Sequence, residues 1–400
     1  MMENRNFLEK IGSIGPLFVA IAAMLWATDY WARPKLSKAF GPTIANAITL
    51  VFFEHILALT FLIIFLIFLY KGLFPSNEKL DFNKLRNLSP LEAYSGIHIG
   101  LASALGNIFF TMAIIYGFQN SIAGGFDQLL FVQKIQPVFA ILLAYYLLKE
   151  RFSWKFYIIL LPIILFGLFL INFGQGSFKL DFSTISFSID NLWSITSTNS
   201  GLIFTLLGIS LSIGNLWHIN LSSPSLIITL LGLAAAFCWG TATVFGRVLV
   251  QKVDYPMTTL IRYTVATVFL IILDIIILPD FLTSINNATT ALPLVMLGLL
   301  LIFLALLPGV IPLFIYYFGL KNSKASYATI AELAYPLTAV IINEVFNNQY
   351  MEPMQWLGGL VIIIAITWFS LDTMKANKQK ELLIEKGFSS QDTPAPFEAL

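Results

Sequence analysis

Ionisable side chains stand in the middle of long apolar stretches, and their types and spacing point to chemistry. Glu54, Lys134, Arg262 and Glu332 each lie well inside a run of Leu, Ile, Phe and Val. At the centre of a membrane helix such a residue costs about 2.5–3.5 kcal/mol, so it persists where it faces a polar cavity, pairs with an opposite charge, or acts. Lys134 and Arg262 are placed to attract an anionic group. Glu332 and Glu54 are placed to hold an amine or a coupling proton. Asp127, seven residues before Lys134, shares its helix face. The structural alternative is that these charges only neutralise one another. Gln133 and Asn107 add neutral hydrogen-bonding groups, and Asn107 serves equally well as an interhelical bond. Trp26, Tyr116, Trp239, Tyr316 and Tyr317 supply aromatic surface suited to an amphipathic or cationic solute, and Tyr335, beside Pro336, is a further candidate contact.

This is chemistry of binding, not of bond-making. The chain has 3 His and 1 Cys. It has no HExxH pattern, no paired acids and no Gly-rich loop ending in Lys-Ser or Lys-Thr. No enzyme, metal or cofactor is expected, and no basic stripe points to nucleic acid.

The elements that must position these residues follow from hydropathy. The 400 residues are 58% hydrophobic and 11% charged, with a mean hydropathy of +0.81. A soluble domain carries about 25% charge. About 20 apolar residues span the hydrocarbon as a helix. That length predicts ten spans, near Ile14–Ala32, Thr43–Tyr70, Tyr94–Gly117, Ile122–Leu148, Trp154–Phe173, Leu226–Val250, Met257–Pro279, Leu292–Leu320, Ala325–Phe346 and Gln355–Leu371. With both termini in the cytoplasm, 17 of the 23 Lys and Arg fall inside, 4 outside and 2 within spans. Lysine and arginine collect on the cytoplasmic side, so this orientation is expected. Three of the outer four, Arg33, Lys35 and Lys38, are predicted to lie in the first outer loop.

The halves of the chain match weakly. Trp26-Ala27-Thr28 corresponds to Trp239-Gly240-Thr241, and Gly117-Phe118-Gln119-Asn120-Ser121 to Gly319-Leu320-Lys321-Asn322-Ser323. Gln136-Pro137 corresponds to Tyr335-Pro336, which sets Gln133 opposite Glu332 and Glu54 opposite Arg262. Five spans separate each pair, so the halves must be inverted. The expected fold class is an all-α polytopic membrane protein of two inverted five-helix repeats, residues 1–173 and 224–373. A polar cytoplasmic tail, 374–400, follows. Pro137 and Pro336 are expected to kink or break their helices.

Between the halves, residues 174–223 read as a small β-like extracytoplasmic insert. Ile185-Ser186-Phe187-Ser188-Ile189-Asp190-Asn191-Leu192-Trp193-Ser194-Ile195 recurs as Ile209-Ser210-Leu211-Ser212-Ile213-Gly214-Asn215-Leu216-Trp217-His218-Ile219. Apolar and Ser residues alternate as in a strand, and Asp190-Asn191 and Gly214-Asn215 are turn pairs. Two similar hairpin units are predicted.

Ten spans, Trp in spans one and six, Pro in spans four and nine, and Glu150-Arg151 before a short loop to Trp154 resemble the EamA-type branch of the drug/metabolite transporter superfamily. The resemblance runs from about Gly15 to Phe369. It implies ten helices around a central cavity and transport of small metabolites. Gln349 stands where Glu150 stands in the first half, and the outer insert is longer than the family's usual connector. The function expected is secondary transport of a small polar organic metabolite, an amino acid or similar amine-bearing compound, by alternating access, with proton coupling or exchange. The alternative is a membrane sensor or assembly protein that docks partners on the insert. The expected location is a bacterial inner membrane. The partners are the solute and membrane lipid, and a homodimer is admitted.

Overall fold

In apolar surroundings only a helix satisfies every backbone N–H and C=O within one segment, so the apolar runs become helices. The computed structural model describes residues 17–69, 82–119, 125–133, 135–148, 158–159, 161–172, 178–180, 185–188, 193–198, 201–206, 209–214, 217–219, 224–321, 331–332, 334–348, 350, 353–354, 356–365 and 368. Its helices are α1 (17–27), α2 (Asp29–Phe40), α3 (Ile44–Ile64), α4 (Asn83–Arg86), α5 (Pro90–Gln119), α6 (Gly125–Gln133), α7 (Gln136–Leu148), α8 (Leu161–Asn172), α9 (Pro224–Lys252), α10 (Tyr255–Ile276), α11 (Leu278–Ala291), α12 (Leu294–Ala305), α13 (Ile311–Lys321), α14 (Ala334–Asn347) and α15 (356–365). Among the described residues, five helical stretches are long and apolar enough to cross a membrane: Ile44–Phe68, Pro90–Gly117, Leu226–Lys252, Tyr255–Ile276 and Leu294–Lys321.

The first helical stretch corrects the sequence reading. It was expected to end near Ala32 and hand Arg33 to a loop. The helix breaks at Thr28, where Thr28 N–H reaches Leu25 O at 3.1 Å and Trp31 N–H reaches Thr28 O at 3.0 Å, and then resumes as α2 to Phe40. Pro34 sits inside α2. Proline has no N–H for the carbonyl four residues back. That carbonyl, Tyr30 O, accepts instead from Asn347 Nδ2 of α14 at 2.7 Å. A contact from the far half of the chain therefore makes the proline tolerable. Gly41, at φ +107°, then stops α2, and its N–H returns to Ser37 O. This left-handed geometry favours glycine.

A second correction concerns the seventh span. It was expected to reach Pro279, but α10 ends at Ile276 and α11 follows as a separate helix. Ser284 and Ala288 are its buried residues. Ser284 Oγ meets Asn46 Oδ1 of α3, and Asn287 Nδ2 donates to Phe40 O at 3.4 Å, which pins α11 across the ends of α2 and α3. Reading for apolar length alone passes over a helix whose outer face is polar.

Packing crosses the two halves. One apolar cluster joins Ala23, Ala27 and Tyr30 of the first half to Tyr335, Ala339 and Ile362 of the second. Another joins Val19, Ala22 and Ala58 to Tyr263, Leu313 and Tyr317. Trp26 packs against both. At two places α9 makes approaches that only glycine permits. A Cβ on Gly106 would meet the Trp239 ring at 2.5 Å, and one on Gly240 would meet Gln136 O at 2.7 Å.

The described strands are β1 (Phe178–Leu180), β2 (Ile185–Ser188), β3 (Trp193–Thr198), β4 (Gly201–Leu206), β5 (Ile209–Gly214) and β6 (Trp217–Ile219). Their pairing differs from the two hairpins expected. The strands beginning the two copies, β2 and β5, pair antiparallel with each other, Phe187 opposite Leu211. The four-stranded order is β2-β5-β4-β3, so β2 and β3 lie on opposite edges and do not pair with each other; the expected turn pair Asp190-Asn191 lies outside the described residues. Like sequences have like alternation, so a copy is as good a strand partner as its own neighbour.

Candidate functional site

Helices from both halves line a cavity of about 130 Å³. Its lining includes Trp26, Asp29, Arg33, Glu54, His55, Asn107, Gln133, Trp239, Arg262, Tyr316, Glu332 and Tyr335. Nine of the residues singled out in the sequence are therefore brought to one place. Tyr116 is not among them: it packs beside the first apolar cluster. Lys134 and the side chain of Asp127 lie outside the described residues.

The helix breaks explain how two of these residues reach the cavity. Pro137 and Pro336 each follow a break. The carbonyls four residues before them belong to Gln133 and Glu332, the residues that face the cavity. At these breaks Ile135 N–H turns back to Val132 O and Tyr335 N–H to Glu332 O, both at 3.1 Å. Tyr335 Oη donates to Gln133 Oε1 at 3.2 Å, joining the two breaks across the halves. Between α12 and α13, Pro308 interrupts the ladder in the same way. The π-turn Leu306–Val310 puts Pro308 and Gly309 on the cavity wall. Widened turns of this kind recur at functional sites. The Leu-Pro-Gly run was visible in the sequence, but its place beside the cavity was not.

The electrostatics divide into two parts. Arg33, 2% exposed, sits between two carboxylates. Its Nε reaches Asp29 Oδ2 at 2.7 Å and one terminal nitrogen reaches Glu54 Oε2 at 2.7 Å. The other terminal nitrogen donates to Thr111 Oγ1 at 2.8 Å, and the guanidinium lies over the Phe110 ring, 5.5 Å from its centre. Asn107 Nδ2 donates to Glu54 Oε1 at 3.1 Å, so Asn107 is both an interhelical bond and part of the wall. The partner of Glu54 is thus Arg33, not the Arg262 with which it aligns. The signal for Arg33 was present: Asp29 and Arg33 stand at i,i+4, the spacing of a helical ion pair.

Arg262 is half-buried and donates to neutral oxygens, from Nε to Ser103 Oγ at 3.0 Å and from a terminal nitrogen to Tyr317 Oη at 3.4 Å. Among the described residues it forms no ion pair. Aromatic rings bound the space: Trp26 and Tyr316 have centroids 5.0 Å apart, and Trp239 stands 5.7 Å from Phe110. Gln136 Nε2 donates to Thr243 Oγ1 at 3.2 Å, tying α7 to α9 behind the Trp239 wall. Among the described residues no group of three or more His, Cys, Asp or Glu is placed to hold a metal ion. The arrangement can enclose a ring-bearing solute, donate and accept hydrogen bonds, and balance a limited charge.

Comparison with known proteins bears on this arrangement. The EamA-like transporter family matches residues 13–173 and 226–371. The stretch left out between them contains all six strands. A riboflavin transporter, ImpX of Fusobacterium nucleatum, is 26% identical over 358 residues, covering 88% of this chain and 96% of the relative. A crystal structure of a protein 14% identical to this chain covers 92% of it and 99% of its own chain, at a TM-score of 0.48.

Proposed function

This chain belongs to the EamA-like transporter family, and from that premise we propose that it moves a small polar metabolite carrying a flat heteroaromatic ring, by alternating access at the central cavity. It is an integral multi-pass membrane protein and a transporter rather than an enzyme. The observation that carries the reading is the cavity itself, whose walls come from both halves and join two indoles and several phenols to hydrogen-bonding groups. A site at the junction of repeats opens to either side when the repeats rock against each other. A flavin is the solute class favoured, because the relative is named a riboflavin transporter and because Asp29 and Glu54 are both engaged by Arg33. The amino acid or similar amine-bearing solute expected from the sequence is the second reading, and Glu332 on the cavity wall supports it.

The surrounding picture is ten spans in two inverted halves, both termini in the cytoplasm of a bacterium, and residues 174–223 on the outer side. Proton coupling or exchange drives the cycle. The test is uptake by the full chain in liposomes of labelled riboflavin, amino acids and nucleosides, with and without a pH gradient. Saturable uptake of riboflavin, blocked by unlabelled riboflavin, is expected. Uptake of an amino acid alone would replace the first reading by the second. Uptake of none would turn attention to docking on the insert.

A further inference from the structure

One group on the cavity wall has an unused hydrogen-bonding capacity that the fold has oriented. His55 is 1% exposed and lies mid-helix in α3. Its Nδ1 is 2.9 Å from Val51 O on the preceding turn. A carbonyl only accepts, so Nδ1 carries the hydrogen and the neutral ring presents a lone pair at Nε2. Nε2 is buried and has no hydrogen-bond partner among the described residues. The ring is held in place by Tyr263, whose centroid is 5.6 Å away. Arg262, the residue before Tyr263, lines the same cavity and spends two of its five N–H groups on Ser103 and Tyr317. This wall therefore holds one unpartnered acceptor just beneath its surface, with further donors of Arg262 alongside.

An acceptor without a partner is costly in a buried site, and such a wall complements a solute edge that carries an N–H between carbonyl oxygens. We infer that His55 is the specificity-determining acceptor of the cavity, and that it reads a ring N–H of an imide-like edge while Arg262 donates to a neighbouring carbonyl. This rests on the flavin reading above, since the pyrimidine-dione edge of a flavin has that pattern. It makes a separate claim, about which edge enters and which atom reads it.

The experiment compares riboflavin with riboflavin methylated on the imide nitrogen, in liposomes holding the full-length protein. Each variant is scored by the ratio of KM for the two solutes, so the amount of folded carrier cancels. The original chain is expected to discriminate against the methylated compound by about tenfold or more, the consequence of one unmade hydrogen bond in a closed site. His55→Ala, which removes the acceptor and makes room, is expected to bring the ratio close to one. His55→Gln, which returns an amide oxygen near the position of Nε2, is expected to restore most of it. Equal KM values for both solutes in the original chain would overturn the assignment. An undiminished ratio in His55→Ala would overturn it too, because the discrimination would then arise elsewhere. If the original chain moves neither flavin but moves another solute, the flavin reading itself fails and this inference falls with it.

Discussion

Two arginines face the same cavity in opposite states. Arg33 is fully buried and gripped by Asp29 and Glu54, with Thr111 and the Phe110 ring filling its remaining surroundings. Arg262 is half-buried and leans on two hydroxyls. A buried charge needs compensation, and a carboxylate on each side supplies it for Arg33. Bonded this way, Arg33 braces α2 against α3 and α5 and has little left to offer a solute. Arg262 keeps both its charge and part of its donor set. The difference teaches that charge within a membrane cavity is not one resource: some of it is tied up inside the wall and some of it keeps donors beside the cavity.

The largest effect should come from Arg33→Met. It leaves Asp29 and Glu54 buried without a cation and is expected to cost about 3–5 kcal/mol, seen as loss of the cooperative thermal transition in detergent. Adding Asp29→Asn and Glu54→Gln should recover much of that loss, because the group would then be neutral throughout. Arg262→Gln sharpens the contrast. Folding should stay within about 1 kcal/mol of the original, whereas uptake should fall about tenfold, as a donor facing the solute is lost. Should Arg262→Gln unfold the protein as Arg33→Met does, the division between the two arginines would be wrong.

Smaller effects test the frame around them. Asn347→Ala leaves Tyr30 O without the amide that replaces the N–H missing at Pro34. A loss of about 1–3 kcal/mol is expected, measured as a lower Tm with KM unchanged. Asn46→Ala frees Ser284 from α3 and should cost about 1 kcal/mol, detected as faster proteolysis near α11. Tyr116→Phe should leave the KM for uptake unaltered, since Tyr116 is not on the cavity wall. A Tyr116→Phe variant with impaired transport would return that residue to the site.

Much of the site was legible because its residues are anomalies in an apolar chain. Glu54, Arg262 and Glu332 announce themselves by cost, and Trp26 and Trp239 by recurrence at equivalent places. The prolines added geometry, since a helix breaks just before Pro137 and Pro336 and turns Gln133 and Glu332 inward. Arg33 was missed because three basic residues after an apolar run look like a loop. The helix continued instead, and Asn347 made its proline affordable. The tautomer of His55 is readable only from the fold, where Val51 O stands 2.9 Å from Nδ1.

By itself the sequence determined that this chain is a membrane-embedded helical protein, because hydropathy is a local sum along the chain. It also determined which residues were too polar to face lipid. Only the tertiary structure decided which charges satisfy each other. Asp29 is four residues from Arg33, but Glu54 is on the next helix and Thr111 on α5. Whether an arginine is spent on the wall or left for the solute depends on which helix faces meet, and no local sum along the chain contains that.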